Sequence, residues 1–402
     1  MRVAIVGGGA SGTLTAINLR QLSPDVELVV FEQSGVVGRG VAYSTTDERH
    51  LLNVRAGNMG AFPDAPGDFL AWLSDRGIDF DPKDFAPRKL WGEYLGARLS
   101  EIDDSIEVVP VAVTDIAHDG DRFTIEGRDF DVVVLAYGND VPPTAIPSDL
   151  AEDATVVIKG AGLTAVDTAI SVLDDYPRRH VVMVSRTGQL PKRHVAPSST
   201  SWSTQFSEGD ITTDDIVTTV NGNIELAKQQ SVDWRDVIDG LRPVTQSLWQ
   251  RLNADEKRHF VEYHMRDWDI RRHRMAPQIA QRLDRYVENG QLEIRSGGFD
   301  DSIVELVESA NALVIDCTGL RTDVTAIESP LLQNLLMRGL IAPDAARLGI
   351  DATPRGNVKD ANGEVVPGLY TLGSPLKGVL WETIAIPEIR GQAKNVAEQI
   401  VS

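Results

Sequence analysis

The chain opens on a short apolar run, Val3-Ala4-Ile5-Val6, that breaks directly into Gly7-Gly8-Gly9-Ala10-Ser11-Gly12. Residues 13–22 then read as a helix with Leu14, Ile17 and Leu22 on its apolar face, and residues 26–31 as a second strand ending at Glu32. Short apolar runs bounded by glycine suit strands buried on both faces of a parallel sheet. The pattern returns at 155–159 (strand), 160–165 (Gly-Ala-Gly-Leu-Thr-Ala turn), 166–173 (helix) and 181–184 (strand). Between the two copies, 66–75 and 90–102 read as helices, and 106–125 as two or three short strands of an inserted antiparallel meander. Residues 131–136 form a buried strand closing on Tyr137-Gly138-Asn139, and the proline-rich 141–147 is an extended inter-domain connection.

Helical patterning dominates from about 206 to 290, with helices expected at 233–241, 244–252, 255–273 and 277–289. Strands follow at 292–296, 303–308 and 312–317, then a hairpin of 357–358 with 365–373, and a closing helix over 382–400 interrupted at Pro387. The fold class expected is α/β, with two Rossmann-like dinucleotide-binding domains. The first comprises residues 1–145 and resumes at 323–402; the second, 150–322, carries the helical insertion at about 206–290.

Composition narrows the function classes. At 402 residues the chain exceeds what one core usually organises. No apolar run is long enough to span a bilayer, and the first residues are a strand rather than a secretory signal. Cys317 is the only cysteine, which excludes an intramolecular disulfide and a Cys-x-x-Cys pair and fits a reducing cytoplasm. A formal charge of −20 argues against nucleic acid or an anionic membrane as partner. The seven histidines show no ligand spacing, so no metal site is expected.

Strand, Gly-x-Gly-x-x-Gly and helix in that order are what a dinucleotide needs. Gly7 makes the tight turn, Gly9 lets backbone approach a pyrophosphate, Gly12 lets helix pack on strand, and Ala10 and Ser11 begin a helix whose N-terminus attracts phosphate. The carboxylate of Glu32 can accept from both ribose hydroxyls, which assigns the first site to FAD. Gly7 to Glu32 and Gly160 to Ser185 share one offset of 25 residues. In the second copy Gly160, Gly162, Leu163 and Thr164 form the turn, Ala165 replaces the third glycine, and Ser185-Arg186 stands where the acid stood. Loss of the carboxylate and gain of donors favour a 2′-phosphate, hence NADPH. Two sites with different ribose chemistry imply hydride delivery from a pyridine nucleotide to a flavin.

Other candidates follow from position. Arg39, in the loop 35–43, reads either as a phosphate ligand of FAD or as a surface arginine. Asn53, in a turn-rich segment, reads as lining a flavin or as part of a packed loop. Gly138 and Gly373 end strands where nucleotide domains cross, and Glu382 and Thr383 open the closing segment toward the flavin pyrimidine. Arg193 is a candidate NADPH phosphate contact. His194, Arg272, His273 and Arg274 are candidates for substrate, with Asp267 and Asp269 near enough to neutralise the last three.

The paired fingerprints with Asp316-Cys317-Thr318-Gly319 and Gly368-Leu369-Tyr370-Thr371-Leu372-Gly373 resemble the two-dinucleotide-domain flavoproteins. Gly38-Arg39-Gly40-Val41-Ala42-Tyr43, His50-Leu51-Leu52-Asn53-Val54, Arg272-His273-Arg274, Trp381-Glu382-Thr383 and Pro387-Glu388-Ile389-Arg390 resemble the bacterial FAD/NAD(P)-binding proteins. That family is related to amine N-hydroxylases and other class B flavin monooxygenases. The resemblance implies FAD and NAD(P)H, with the fingerprint glycines and Glu32 as ligands. The leading expectation is a single-component NADPH-dependent monooxygenase acting on a small molecule and O2 through a flavin C4a-hydroperoxide, with a homodimer left open. The alternatives are an NAD(P)H-dependent flavin reductase or oxidase, and a redox-sensing binding protein without turnover.

Overall fold

The computed structural model describes residues 1–103, 106–139, 146–147, 150–197, 200–310 and 312–402. Among the described residues the strands are β1 (Arg2–Val6), β2 (Glu27–Phe31), β3 (Glu107–Val109), β4 (Ala117–His118), β5 (Phe123–Ile125), β6 (Arg128–Phe130), β7 (Val132–Leu135), β8 (Thr155–Lys159), β9 (His180–Ser185), β10 (Leu292–Ser296), β11 (Leu313–Asp316), β12 (Asn357–Lys359) and β13 (Val365–Thr371). They build a six-stranded sheet in the order β12-β13-β7-β1-β2-β3, a four-stranded sheet β10-β9-β8-β11, and a small sheet β4-β5-β6. The six-stranded sheet is parallel except for β12, which runs antiparallel to β13. The four-stranded sheet is parallel throughout.

Alternation along each strand decides what covers each face. In the first sheet Val3, Ile5, Leu28, Val30, Val132 and Val134 point to the helices Ala10–Leu22 and Ile386–Val401. Ala4, Val6, Val29, Phe31, Val133 and Leu135 point the other way, onto β4-β5-β6 and the helix Pro330–Met337. The second sheet repeats the scheme. Val156, Ile158, Val181 and Met183 meet the helices Leu163–Asp175 and Pro277–Glu288, while Val157, Val182 and Val184 meet Ile303. Each fully buried Val or Ile adds roughly 1.5–3 kcal/mol.

Several expected elements change. Residues 303–308 are not a strand but part of the helix Asp301–Ala310. Its Ile303, Leu306 and Val307 share a face packed on the sheet, and the Asp300 carboxylate accepts from the backbone N–H of Ser302 and Ile303. The single helix expected over 255–273 breaks at His264 into Ala254–Tyr263 and Met265–Arg272. A further helix, Thr213–Gln229, begins the insertion. Pro387 starts the closing helix rather than interrupting it, since proline at the first turn costs no hydrogen bond. Leu22 is 45% exposed, off the apolar face assigned to it. The meander uses β6, which the alternation missed, and β3 joins the large sheet instead. The loop 35–43 ends in a short helix, Gly40–Tyr43. Most of the expected connection 141–147 lies outside the described residues.

Candidate functional site: two nucleotide turns and an interdomain cavity

Both fingerprints fold the same way. Gly7 has φ +106°, and a Cβ there would lie 2.3 Å from the Ala136 carbonyl oxygen. Gly160 has φ +124°, and its Cβ would lie 2.2 Å from the Cys317 carbonyl oxygen. The Gly7 N–H donates to Phe31 O (2.9 Å) and that of Gly160 to Val184 O (2.7 Å), so each turn is tied to the next strand. Gly9 and Gly162 cap the helices Ala10–Leu22 and Leu163–Asp175 without a side-chain acceptor, leaving the first N–H groups for an anion. Ala10, Ser11, Leu163 and Thr164 are the first residues of those helices. A Cβ on Gly12 would sit 1.9 Å from Gly7 O, whereas Ala165 at the matching place is fully buried without obstruction.

The first turn opens on a cleft of about 400 Å³ lined by Gly7, Gly9, Ala10, Ser11, Glu32, Arg39, Gly40 and Gly138, among others. Glu32 already accepts from the Gly8 N–H (2.9 Å), the Ser34 N–H (3.1 Å) and the Ser34 hydroxyl (2.9 Å). A carboxylate has about four acceptor sites, so Glu32 offers one directly and a second only if exposed Ser34 yields. Arg39 lines the cleft and forms no ion pair with another described residue. Gly373, at φ +74°, could carry no Cβ without meeting Ser11 Oγ at 2.6 Å. Thr383 is fully buried, and its hydroxyl has no partner among the described residues. Glu382 is engaged elsewhere, paired with Arg272 at 3.0 Å. Asn53 lies off this cleft, in the neighbouring cavity, where its carbonyl meets His194 Nε2 at 3.1 Å.

At the second turn Ser185 Oγ accepts from the Gly188 N–H (3.1 Å). Arg186 is exposed and forms no ion pair with another described residue. Arg193 turns away, onto Asp284 of the helix Pro277–Glu288 at 3.1 Å. Arg266 does lie on the turn, donating to the carbonyls of Ala161 (3.1 Å) and Gln189. Burial and the positive charge of Arg186 lower its pKa. Arg266 stands outside the basic run 271–274, and the sequence pattern carried no signal for it. Cys317 is buried on the strand end and burial pushes its thiol pKa up, the opposite of an activated cysteine.

A cavity of about 700 Å³ lies where both domains and the insertion meet. Asn53, Arg55 and Asn58 wall it from the first domain, His194–Pro197 from the second, and the loop and helix around Trp234–Gly240 from the insertion. His194, Arg272, His273 and Arg274, far apart from one another or from the flavin segment in sequence, all line it. Their charges are matched: Arg272 by Glu382, Arg274 by Asp239 (2.5 Å), and neighbouring Arg271 by Asp267 (2.7 Å). Arg274 is 3% exposed and its Nε has no partner among the described residues. Burial, reinforced by nearby arginines, lowers the pKa of both His194 and His273 to about 4, so both rings are neutral near pH 7. The first and second domains are also joined by Arg88–Asp167 (2.8 Å), Arg49–Asp175 (2.7 Å) and His50 Nε2 to Ser171 Oγ (2.8 Å), none of which the pattern foretold.

Paired βαβ turns in series, one closing on an acid and one on a basic loop, define a flavoprotein fold with two dinucleotide-binding domains. Residues 4–140 match the model of an FAD-NAD(P)-binding family, so this part of the chain is an FAD/NAD(P)-binding domain. The uncharacterized protein YdhS of Escherichia coli (strain K12) is 24% identical in a 251-residue alignment, with coverage of 48% of this chain and 46% of that protein. The match thus spans under half the length of this relative. Ornithine hydroxylase from Pseudomonas aeruginosa superposes with a TM-score of 0.61 at 14% identity, covering 99% of this chain and 98% of that one. An ornithine N-hydroxylase from Kutzneria sp. 744, whose structure contains reduced FAD, NADP+ and L-ornithine, gives 0.60 at 14% identity over 100% and 99%. The fold is therefore shared along the whole chain. The resemblance to the FAD/NAD(P)-binding proteins and the cofactor pair FAD and NAD(P) are borne out.

Proposed function

We propose that this flavoprotein is an NADPH-dependent monooxygenase acting on a small molecule and O2. Residues 1–145 and 323–402 form its FAD domain, and 150–322 its NADPH domain. The residues present fit FAD. Glycine alone is tolerated at Gly7, Gly12 and Gly373, a carboxylate closes β2, and the buried Thr383 hydroxyl lacks a partner. Gly7, Gly9, Ala10, Ser11 and Gly12 would hold its pyrophosphate with Arg39, Glu32 its adenosine ribose, and Gly138, Gly373 and Thr383 the region near the ring. Gly160, Gly162, Leu163 and Thr164 would hold the NADPH pyrophosphate, and Ser185 and Arg186 its 2′-phosphate, with Arg266 adding positive charge. When bound, flavin reduced by NADPH supplies the electrons that activate O2.

The single observation that supports the small-molecule part is the cavity walled by both domains and the insertion. A reductase that hands electrons to a protein needs no such pocket at the junction of its domains. Arg272 and Glu382 pin the insertion to the flavin segment, and His194 and His273 stay neutral. The isolated, buried Cys317 removes a disulfide-exchange reading for the chain. The test is NADPH oxidation under ¹⁸O2 with a panel of candidate small molecules. Incorporation of one labelled oxygen atom per NADPH supports the proposal. Consumption of NADPH with all oxygen recovered as peroxide, for every candidate, favours the reductase or oxidase alternative.

A further inference from the structure

The insertion brings together three side chains that the sequence keeps apart. Asp214 lies in the first turn of Thr213–Gln229, His259 on Ala254–Tyr263, and His264 at the break just beyond it. One donor atom from each lies within 4.8 Å of the other two. The Asp214 carboxylate is 3.4 Å from His259 Nε2 and 3.7 Å from His264 Nε2. With metal–ligand bonds of about 2.0–2.2 Å, the edge of a tetrahedron is about 3.3–3.6 Å. The two carboxylate–imidazole separations match that edge to within about 0.1 Å, and the two imidazole nitrogens, at most 4.8 Å apart, would draw together on an ion.

The scaffold fixes this arrangement without help from a metal. The Thr213 N–H donates to the Glu256 carboxylate (2.7 Å) and the Thr213 hydroxyl to the Glu256 carbonyl (2.8 Å), riveting the start of one helix to the other. Glu256 and His259 are one turn apart, so the rivet sets the position of Asp214 against His259. Capping of the first helix falls to Thr212 and Asp215, whose side chains bond each other's backbone N–H. Asp214 is thereby left with no capping role, 76% exposed and directed at two imidazoles. His264 is reachable because the helix stops at Tyr263; a continued helix would put residues 259 and 264 on different faces.

We propose that Asp214 Oδ, His259 Nε2 and His264 Nε2 form a binding site for a transition-metal dication of the zinc type, with water completing a tetrahedron. Two imidazoles and one carboxylate suit zinc and its neighbours, whereas magnesium and calcium prefer all-oxygen sets. The ion would cross-link two helices of the insertion. Phe260, next to His259, packs edge-on against Trp381 (4.9 Å, 84°), so the stapled helix is the one that abuts the flavin segment.

The test uses full-length FAD-loaded protein without a histidine tag, stripped with chelator and titrated with Co2+ and then Zn2+. The site predicts one equivalent of Co2+ with the intense visible bands of tetrahedral coordination, displaced by Zn2+, and a rise in the unfolding midpoint with Zn2+. Asp214→Asn, which leaves the Thr212–Asp215 cap intact, and His264→Gln should each weaken binding more than the roughly 10–100-fold seen on loss of an outer-shell partner. Retained flavin content in both variants shows that they fold. Absence of a one-equivalent tetrahedral spectrum, or affinity unchanged in both folded variants, overturns the site.

Discussion

Replacing Arg186 with alanine tests the division of labour between the two nucleotide turns. Arg186 is exposed, forms no ion pair with another described residue, and immediately follows Ser185 at the end of β9. Its partner would be the 2′-phosphate, present in NADPH and absent from NADH. A hydrogen bond to a charged group contributes about 1.5–3 kcal/mol net, and solvent exposure places this one at the low end. About 1.4 kcal/mol is tenfold in an equilibrium constant. Steady-state kcat/KM in Arg186→Ala should thus fall about tenfold for NADPH and change little for NADH. The wild-type preference should also weaken with added salt, as expected of an exposed contact. Ser185→Ala is a contrast. Its Oγ accepts from the Gly188 N–H, so its loss loosens the loop for both nucleotides. An equal loss for NADPH and NADH in Arg186→Ala, or no loss for either, refutes the 2′-phosphate assignment.

Glu382→Gln leaves Arg272 without its counter-charge where both side chains are largely buried, 6% and 12% exposed. Breaking a buried pair costs about 3–5 kcal/mol, and the partial exposure of Arg272 brings the expectation nearer 3. Flavin content and the unfolding midpoint should both drop, and Arg272→Met in the same chain should restore part of the midpoint. Gly160→Ala forces a methyl toward Cys317 O at a φ that side chains rarely adopt. It should weaken NADPH binding severely while flavin absorbance per protein stays near wild type. The histidines set a pH dependence. His194 and His273 have folded pKa values near 4 against 6.5 unfolded, so the unfolded chain takes up protons first. Their contribution to stability is present above pH 6.5 and is lost as pH falls through 4. The denaturant midpoint should drop across that window, and His194→Gln should flatten the drop.

The nucleotide turns were legible because their constraint is local. Only glycine accepts the φ of Gly7 and Gly160 beside a neighbouring carbonyl, and that requirement is written in the spacing. The identity of the covering elements was less so. Ile303, Leu306 and Val307 satisfy both a short strand and one helical face, and the sheet's need for a cover decided for the helix. Arg266 on the second turn, Arg88 against Asp167, and Asp214 between two histidines all depend on which helices meet. No spacing along the chain encodes that. Arg193 shows the converse. It sits in a basic loop at a sheet edge, yet a nearer carboxylate on Asp284 claims it. In the basic run 271–274, Asp267 and Asp269 lie against Arg271 and His273, whereas Arg272 and Arg274 are claimed by Glu382 and Asp239, which sequence spacing does not bring near.

The central claim is that two nucleotides meet in one chain so that one reduces the other. It is tested most directly by mixing FAD-loaded protein with NADPH under anaerobic conditions and following the flavin's visible absorbance. Rapid, saturable bleaching that is much slower with NADH is the result expected. Failure to retain FAD, or a flavin left oxidised by excess NADPH, would contradict the account.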